Sequence, residues 1–194
     1  MAHGKLQNTD AYRVKLMGLK EKQPIFEISK KNDAWEYVKE EASFIEWNFE
    51  SIEPWTYKWE DKDRDIFKLH LSDWVDKYIM NFSYTALSRS ILNSLCGAEK
   101  LWRLRIEVRW YSKDGKAKNA IKLLNDWKRA EWAMTYEDTQ KMVEVITKSD
   151  GTYVSSDYSK LDRYFMDQFD SINKKKKVIE FEVEKESEID WIPF

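Results

Sequence analysis

Between Trp102 and Tyr111 apolar and polar residues alternate almost without a break. Trp102, Leu104, Ile106, Val108 and Trp110 share one parity, and Arg103, Arg105, Glu107, Arg109 and Tyr111 share the other. Successive side chains of a strand point to opposite faces, so this is the period of a half-buried β-strand. Parity puts Trp102 and Trp110 in the core and the three arginines outside it. Ser112 to Lys116 then has Asp-Gly at its centre, the signature of a tight hairpin loop. Ala117 to Leu124 returns as the second strand, with Lys116, Lys118 and Lys122 on one parity and Ile121 and Leu123 on the other.

The same period recurs upstream. Tyr12, Val14 and Leu16 alternate with basic residues, and a second run spans Ile25 to Ser29. Gly18 marks a bend between them. Ile45, Trp47 and Phe49 alternate with Glu46, Asn48 and Glu50. Trp55, Tyr57 and Trp59 fall at every second position, which puts three rings on one strand face. That row suits a barrel interior as well as a stacking surface. The polar cluster Glu60 to Asp65 reads as a turn, and Phe67, Leu69 and Leu71 make the returning strand.

Helical signals interrupt the strands. Asp33 with Glu36 has capping-box spacing and predicts a short helix to about Ala42. Asp73 is a candidate N-cap for the series Val75, Tyr78, Ile79, Phe82, Ala86, Leu87, Ile91 and Leu95, closed by Gly97, as one helix or as two with a break near Ser83. Thr135 opens another helix predicted to reach about Lys148. Ser149 to Gly151 turns the chain, and Leu161, Tyr164, Phe165, Gln168, Phe169 and Ile172 form an amphipathic helix.

A helix between a third and a fourth strand, followed by a hairpin, is the element order of the OB-fold. The expectation is a mainly β protein with helices (α+β). It has an OB-fold-like barrel over residues 8–134, a helical extension over 135–173, and a basic linker with a disordered acidic tail over 174–194. With 194 residues, of which 42% are hydrophobic, the chain can bury a sizeable core. One cysteine, Cys96, excludes an internal disulfide or a cysteine zinc site. No apolar run reaches the length of a membrane span, and no signal-peptide core opens the chain. A cytoplasmic protein with no membrane partner is expected.

The net charge of −2 conceals a strong asymmetry. Residues 100–129 hold ten bases and three acids, whereas residues 33–65 hold four bases and eleven acids. From Glu180 onward there are six acids against Lys185, and the chain closes on Asp190-Trp191-Ile192-Pro193-Phe194. Mutual repulsion keeps such a segment extended, and the apolar tip fits a basic-rimmed pocket on a partner. The alternation Val178, Ile179, Phe181, Val183 leaves a final strand open for residues 178–184.

This ending resembles the acidic C-terminal tip of bacterial single-stranded-DNA-binding proteins, which closes on Asp-Ile-Pro-Phe; here Trp191 is inserted. The resemblance covers about nine residues. It implies a protein, of phage type and at work in a bacterial cell, that protects single-stranded DNA. Its tip would recruit replication, recombination and repair enzymes through Asp190, Trp191, Ile192, Pro193 and Phe194. Binding a single strand needs cations along the phosphates and rings that stack on bases. Arg103, Arg105, Arg109, Lys113, Lys116, Lys118 and Lys122 are the candidate cations; Tyr111, Trp55, Tyr57 and Trp59 are the candidate rings. A basic strand face paired with acids is the plainer reading. The alternative function is an interaction protein that mimics such a tail without binding DNA.

Catalytic and metal motifs are absent from the sequence. Asp61 to Asp65 starts like an EF-hand loop, but Ile66 replaces its glycine and Ser72 its glutamate. A phosphate-binding glycine loop and a metalloprotease helix are missing. No enzyme, metal or cofactor is expected, and self-association is left open.

Overall fold

The computed structural model describes residues 11–16, 26–32, 36–73, 75–113 and 116–176. For Trp59, for 110–113 and for 116–119 it describes the backbone alone. The protein is mainly β with a few helices. Nine strands form one sheet: β1 (Tyr12–Leu16), β2 (Phe26–Lys31), β3 (Tyr37–Ala42), β4 (Phe44–Trp59), β5 (Lys62–Ser72), β6 (Lys77–Ser83), β7 (Arg103–Lys113), β8 (Lys116–Asn125) and β9 (Lys128–Arg129). Their order is β3-β2-β1-β6-β5-β4-β7-β8-β9, antiparallel except for the parallel β1–β6 pair. The expected barrel does not close: β3 and β9 remain as outer strands, and β1 occupies the edge of β6 that a closing strand would need.

Helix α1 (Ala86–Gly97) lies between β6 and β7. Beyond β9 come α2 (Tyr136–Lys141), a separate hairpin of β10 (Glu144–Thr147) and β11 (Tyr153–Asp157), helix α3 (Ser159–Asp167) and a last helical run, α4, over 169–176. One core joins the inner sheet face to the helices. Phe26, Phe49, Ile52, Phe67, Leu69, Met80, Leu104 and Ile106 pack with Ile91, Leu92 and Leu95 of α1 and with Leu161, Phe165, Phe169 and Ile172. Arg89 of α1 clamps Asp162 of α3 in a two-pronged ion pair at 2.6 and 2.8 Å. Its guanidinium also lies 4.1 Å from the Tyr158 ring.

Several expectations need correction. Residues 37–42 are strand β3, because they pair with β2 along their whole length. Asn32 and Glu36 close that connection, with reciprocal hydrogen bonds at 2.9 Å, where a helix was expected; Asp33 itself is outside the described residues. The series from Val75 to Leu95 does break near Ser83, but its first half is strand β6, with Tyr78, Met80 and Phe82 buried by alternation. Asp73 closes a local turn by accepting from the amides of Val75 and Asp76, while the helix cap is Thr85, in a capping box with Ser88. Thr135 caps α2 as expected, yet the helix stops at Lys141 and the chain becomes β10, so the extension is a mixture of helix and hairpin. Trp102 is 40% exposed, ahead of the first residue of β7; the Trp110 side chain lies outside the described residues. Lys174 to Lys176 complete α4, so the basic linker is not a linker there. Gly18 and the tail from Lys177 to Phe194 also lie outside the described residues.

Gly97 ends α1 where residues 131–133 cross it. A Cβ there would sit 2.2 Å from the carbonyl oxygen of Glu131 and 2.7 Å from the amide nitrogen of Ala133, both backbone atoms. Gly97→Ala is expected to destabilise the protein by about 1–3 kcal/mol, the usual cost of overpacking, as measured by denaturant unfolding. An unchanged midpoint would mean that the crossing is not packed against the helix.

Candidate nucleic-acid interface

The geometry of the outer sheet face follows from one irregularity in β4. Up to Phe49 the buried parity of β4 is odd: Ile45 pairs with Ile106 and Phe49 with Leu71. The register with β5 then shifts between Phe49 and Ser51, so Glu50 has no partner on that strand. Beyond this bulge an even residue, Ile52, is 1% exposed, and Pro54 stands opposite Phe67 of β5, which is 0% exposed. A bulge adds one residue to one strand and re-aims everything after it. Trp55 and Tyr57 thereby leave the core parity of Trp47 and join the outer face.

That face carries the arginine row of β7. Asn48, Glu46 and Phe44 lie opposite Arg103, Arg105 and Glu107, and directly opposed residues of an antiparallel pair share a face. Arg103 reaches Glu46 at 2.7 Å, Arg105 reaches Glu107 at 2.7 Å and Glu46 at 3.5 Å, and Arg109 approaches Glu107 at 3.9 Å. Three guanidinium groups thus share two carboxylates. Arg103 and Arg109 still show 52% and 63% of their side-chain surface. Lys122 is opposite Glu107 on β8.

Rings meet Arg103 and Arg105. The Arg105 guanidinium lies 3.8 Å from the Phe44 ring and 5.7 Å from the Trp127 ring, and Arg103 lies 5.5 Å from Trp127. Such contacts are favourable electrostatically and hold the guanidinium flat. Phe44 and Trp127 remain 42% and 59% exposed. Trp127 sits in the two-residue turn between β8 and β9, where Asp126 and Trp127 have φ of 48° and 64°. Both positions want φ above zero, which normally selects Asn-Gly, so a tryptophan there is a backbone outlier. Beside the turn, Trp102, Arg103, Lys128 and Arg129 line an open cleft of ≈ 880 Å³.

The aromatic row adds a second patch. Trp55 is 48% exposed, Tyr57 is half-buried, and Lys68 of β5 lies with its Nζ 3.1 Å from the Trp55 ring centroid. Burial pushes the Lys68 pKa down; Glu53 draws it up and Arg13 presses it down again, for a net lowering. The tip of this hairpin is acidic, with Glu60, Asp61, Asp63 and Asp65.

The structure therefore brings together Arg103, Arg105, Arg109, Lys122, Trp55 and Tyr57 on one face. For Trp59, Tyr111, Lys113, Lys116 and Lys118 only the backbone positions in these hairpins are described. Asp190 to Phe194 are outside the described residues. Phe44, Lys68 and Trp127 were not singled out in the sequence. Phe44 stands one residue ahead of a visible alternation, and nothing in Asn-Asp-Trp-Lys marks its tryptophan as a turn residue. Among the described residues no three His, Cys, Asp or Glu side chains are grouped to hold a metal ion, and no helix is long and apolar enough to cross a membrane. No protein-family model, curated protein or solved structure matches this chain.

Deleting Glu50 removes the extra residue and forces one half of β4 to turn its buried side chains outward. The variant is expected to lose the cooperative unfolding transition in circular dichroism. Retention of the native midpoint would show that the two halves of β4 can hold their faces without the bulge.

Proposed function

We propose that this protein binds single-stranded DNA along the outer face of β5, β4, β7 and β8. The observation that carries the reading is the bulge at Glu50. It gathers the arginine row of β7, with Arg105 clamped between Phe44 and Trp127, and Trp55 with Tyr57 beside Lys68 on the same outer surface. Phosphates need the first and unpaired bases need the second. A duplex, whose bases are already stacked, gains nothing from exposed rings.

Topology supports the same reading. Taken as β4, β5, β6, α1, β7, β8, the elements have the order of an OB-fold, with the long first strand pairing both the second and the fourth. The barrel is left open. The tail supports it from the sequence side, as a hook for replication, recombination and repair enzymes. At the end of α4, Lys176 pairs with Glu50 at the bulge itself.

The competing reading, a tail mimic that binds no DNA, rests on Glu46 and Glu107, which pair all three arginines. Titration of a labelled oligonucleotide separates the two. Single strands are expected to bind with little sequence dependence and in preference to duplex. Replacing Arg103, Arg105 and Arg109 by alanine should flatten the logarithmic salt slope by about 2, since each single-strand phosphate contact contributes ~0.7. No binding to a long oligonucleotide at low salt would refute the proposal, and equal affinity for duplex would refute the single-strand assignment.

Trp55→Ala and Trp127→Ala should each weaken single-strand affinity by roughly tenfold, the worth of one stacked base, with the fold intact. Phe49→Ala, whose ring is 1% exposed, should instead cost about 3–5 kcal/mol of stability. Removing residues 186–194 should leave DNA affinity unchanged or raised, because a tethered anionic segment competes with phosphates. The same deletion, and largely Phe194→Ala alone, should abolish capture of tail-binding repair or replication enzymes. Loss of DNA binding or unfolding on deletion would make the tail a structural strand.

A further inference from the structure

The outer face does not stop at β5. Register sets Trp55 opposite Ile66, Ile66 opposite Ser83, and Lys68 opposite Asn81. Directly opposed residues of antiparallel pairs share a face, so all of these lie on the side of Trp55. On β1, Arg13 stands beside Ile79 of β6. Their neighbours Val14 and Met80 are buried in the core, which puts Arg13 on the outer side as well. Trp55, Tyr57, Ile66, Lys68, Asn81 and Ser83 together line a pocket of ≈ 290 Å³. Ile66 is buried there, and Asn81 and Ser83 are exposed.

An unpaired base presents a flat face and an edge of hydrogen-bonding groups, and the pocket answers both. Trp55 and Tyr57 offer rings for the face. For the edge, the Asn81 carboxamide donates and accepts, the Ser83 hydroxyl does the same, and the Lys68 ammonium donates. Among the described residues neither the Asn81 carboxamide nor the Ser83 hydroxyl has a hydrogen-bond partner, so both are available to a ligand. Lys68 is held at the pocket by the Trp55 ring and by Glu53 at 3.9 Å. Arg13 is exposed, lies close enough to act on the Lys68 ammonium, and pairs with no carboxylate among the described residues. The arginines of β7 already share Glu46 and Glu107; a phosphate meets no such competitor at Arg13.

We infer that this pocket is a nucleotide subsite. One unpaired base enters it, Trp55 and Tyr57 take its face, Asn81 and Ser83 take its edge, and Arg13 takes the adjoining phosphate. The inference rests on the reading of the outer face as the single-strand site and extends it. The strand then crosses the sheet from β8 and β7 over β4 and β5 to β6 and β1. Stacking alone accepts every base, because every base has a π-face. Edge contacts make this one position sensitive to the base's hydrogen-bonding groups, within a binding that is otherwise tolerant of sequence.

Two thymine oligonucleotides of equal length test it, one natural and one with difluorotoluene in place of every thymine. The analogue keeps the shape of the ring and its stacking but offers no hydrogen-bonding edge. The full-length protein should bind the natural strand about fivefold more tightly, the worth of one net hydrogen bond. In Asn81→Leu that difference should vanish, while affinity for the analogue stays as in the wild type. Arg13→Ala should flatten the logarithmic salt slope by ~0.7, one single-strand phosphate contact, and Arg13→Lys should restore it. Both positions are exposed, so each variant should keep the wild-type unfolding midpoint. A wild-type protein that binds both strands equally would overturn the inference and leave the outer-face reading standing. So would an Asn81→Leu variant that still tells them apart, or a slope that Arg13→Ala does not move. Failure to bind either strand would instead refute that reading, and the inference with it.

Discussion

The amide of Asn173 makes two hydrogen bonds to one residue of β4. Its Oδ1 accepts from the Ile52 amide at 2.8 Å and its Nδ2 donates to the Ile52 carbonyl at 2.9 Å. Ile52 is the first buried residue after the bulge, where the ladder has just been interrupted. A polar backbone pair left without partners in this part-buried place would cost free energy comparable to a lost hydrogen bond for each group. Ser72 and Lys176 both donate to the Glu50 carboxylate beside it. Burial acts to raise the Glu50 pKa, and these donors overcome it, holding the group below the usual carboxylate range. A pKa lowered by folding means stability that is present above the unfolded value and lost as pH falls through the folded one.

Everything distinctive about the surface depends on keeping that bulge. With it, Phe49 and Ile52, an odd and an even residue of β4, are both buried in the same core. The wet face then collects two groups of side chains that sequence parity would have separated. The helices that cover the dry face also supply the clamp. Ion pairing of Arg89 with Asp162 and packing of Phe165, Phe169 and Ile172 hold α3 and α4 on the core. At the end of α4, Lys175 donates to the carbonyls of Leu95 and Cys96 at the C-terminus of α1, a favourable place for a cation. The thiol of Cys96 is pushed up to about 11 by burial, which makes it unreactive at neutral pH.

Much of the architecture was legible in period-two alternation. β7 and β8 read correctly because their hydrophobic parity persists from Leu104 to Leu123. The run from Leu161 to Ile172 read as helical because its buried residues keep a helical spacing, although it is two runs, α3 and α4, parted at Gln168. The misreadings have local physical causes. Residues 37–42 and 75–83 satisfy helical patterns as well as strand patterns, and the choice was made by neighbouring strands β2, β1 and β5. The face of Trp55 was not legible, because a bulge without glycine leaves no mark in composition. Phe44 and Trp127 were invisible for a related reason. Their importance lies in what crosses from β7 to meet them, which is information about register.

The central claim is that nucleic acid lies on the outer face set by the bulge. Photo-crosslinking of a single-stranded oligonucleotide carrying halogenated uracils, followed by identification of the modified residues, tests it most directly. Adducts are expected at Trp55, Tyr57, Phe44 and Trp127. Trp47 should be spared, since it stacks on Tyr78 at 3.9 Å on the opposite parity. Adducts confined to the β10–β11 hairpin, or spread over Trp47 and Trp132 alike, would contradict the account.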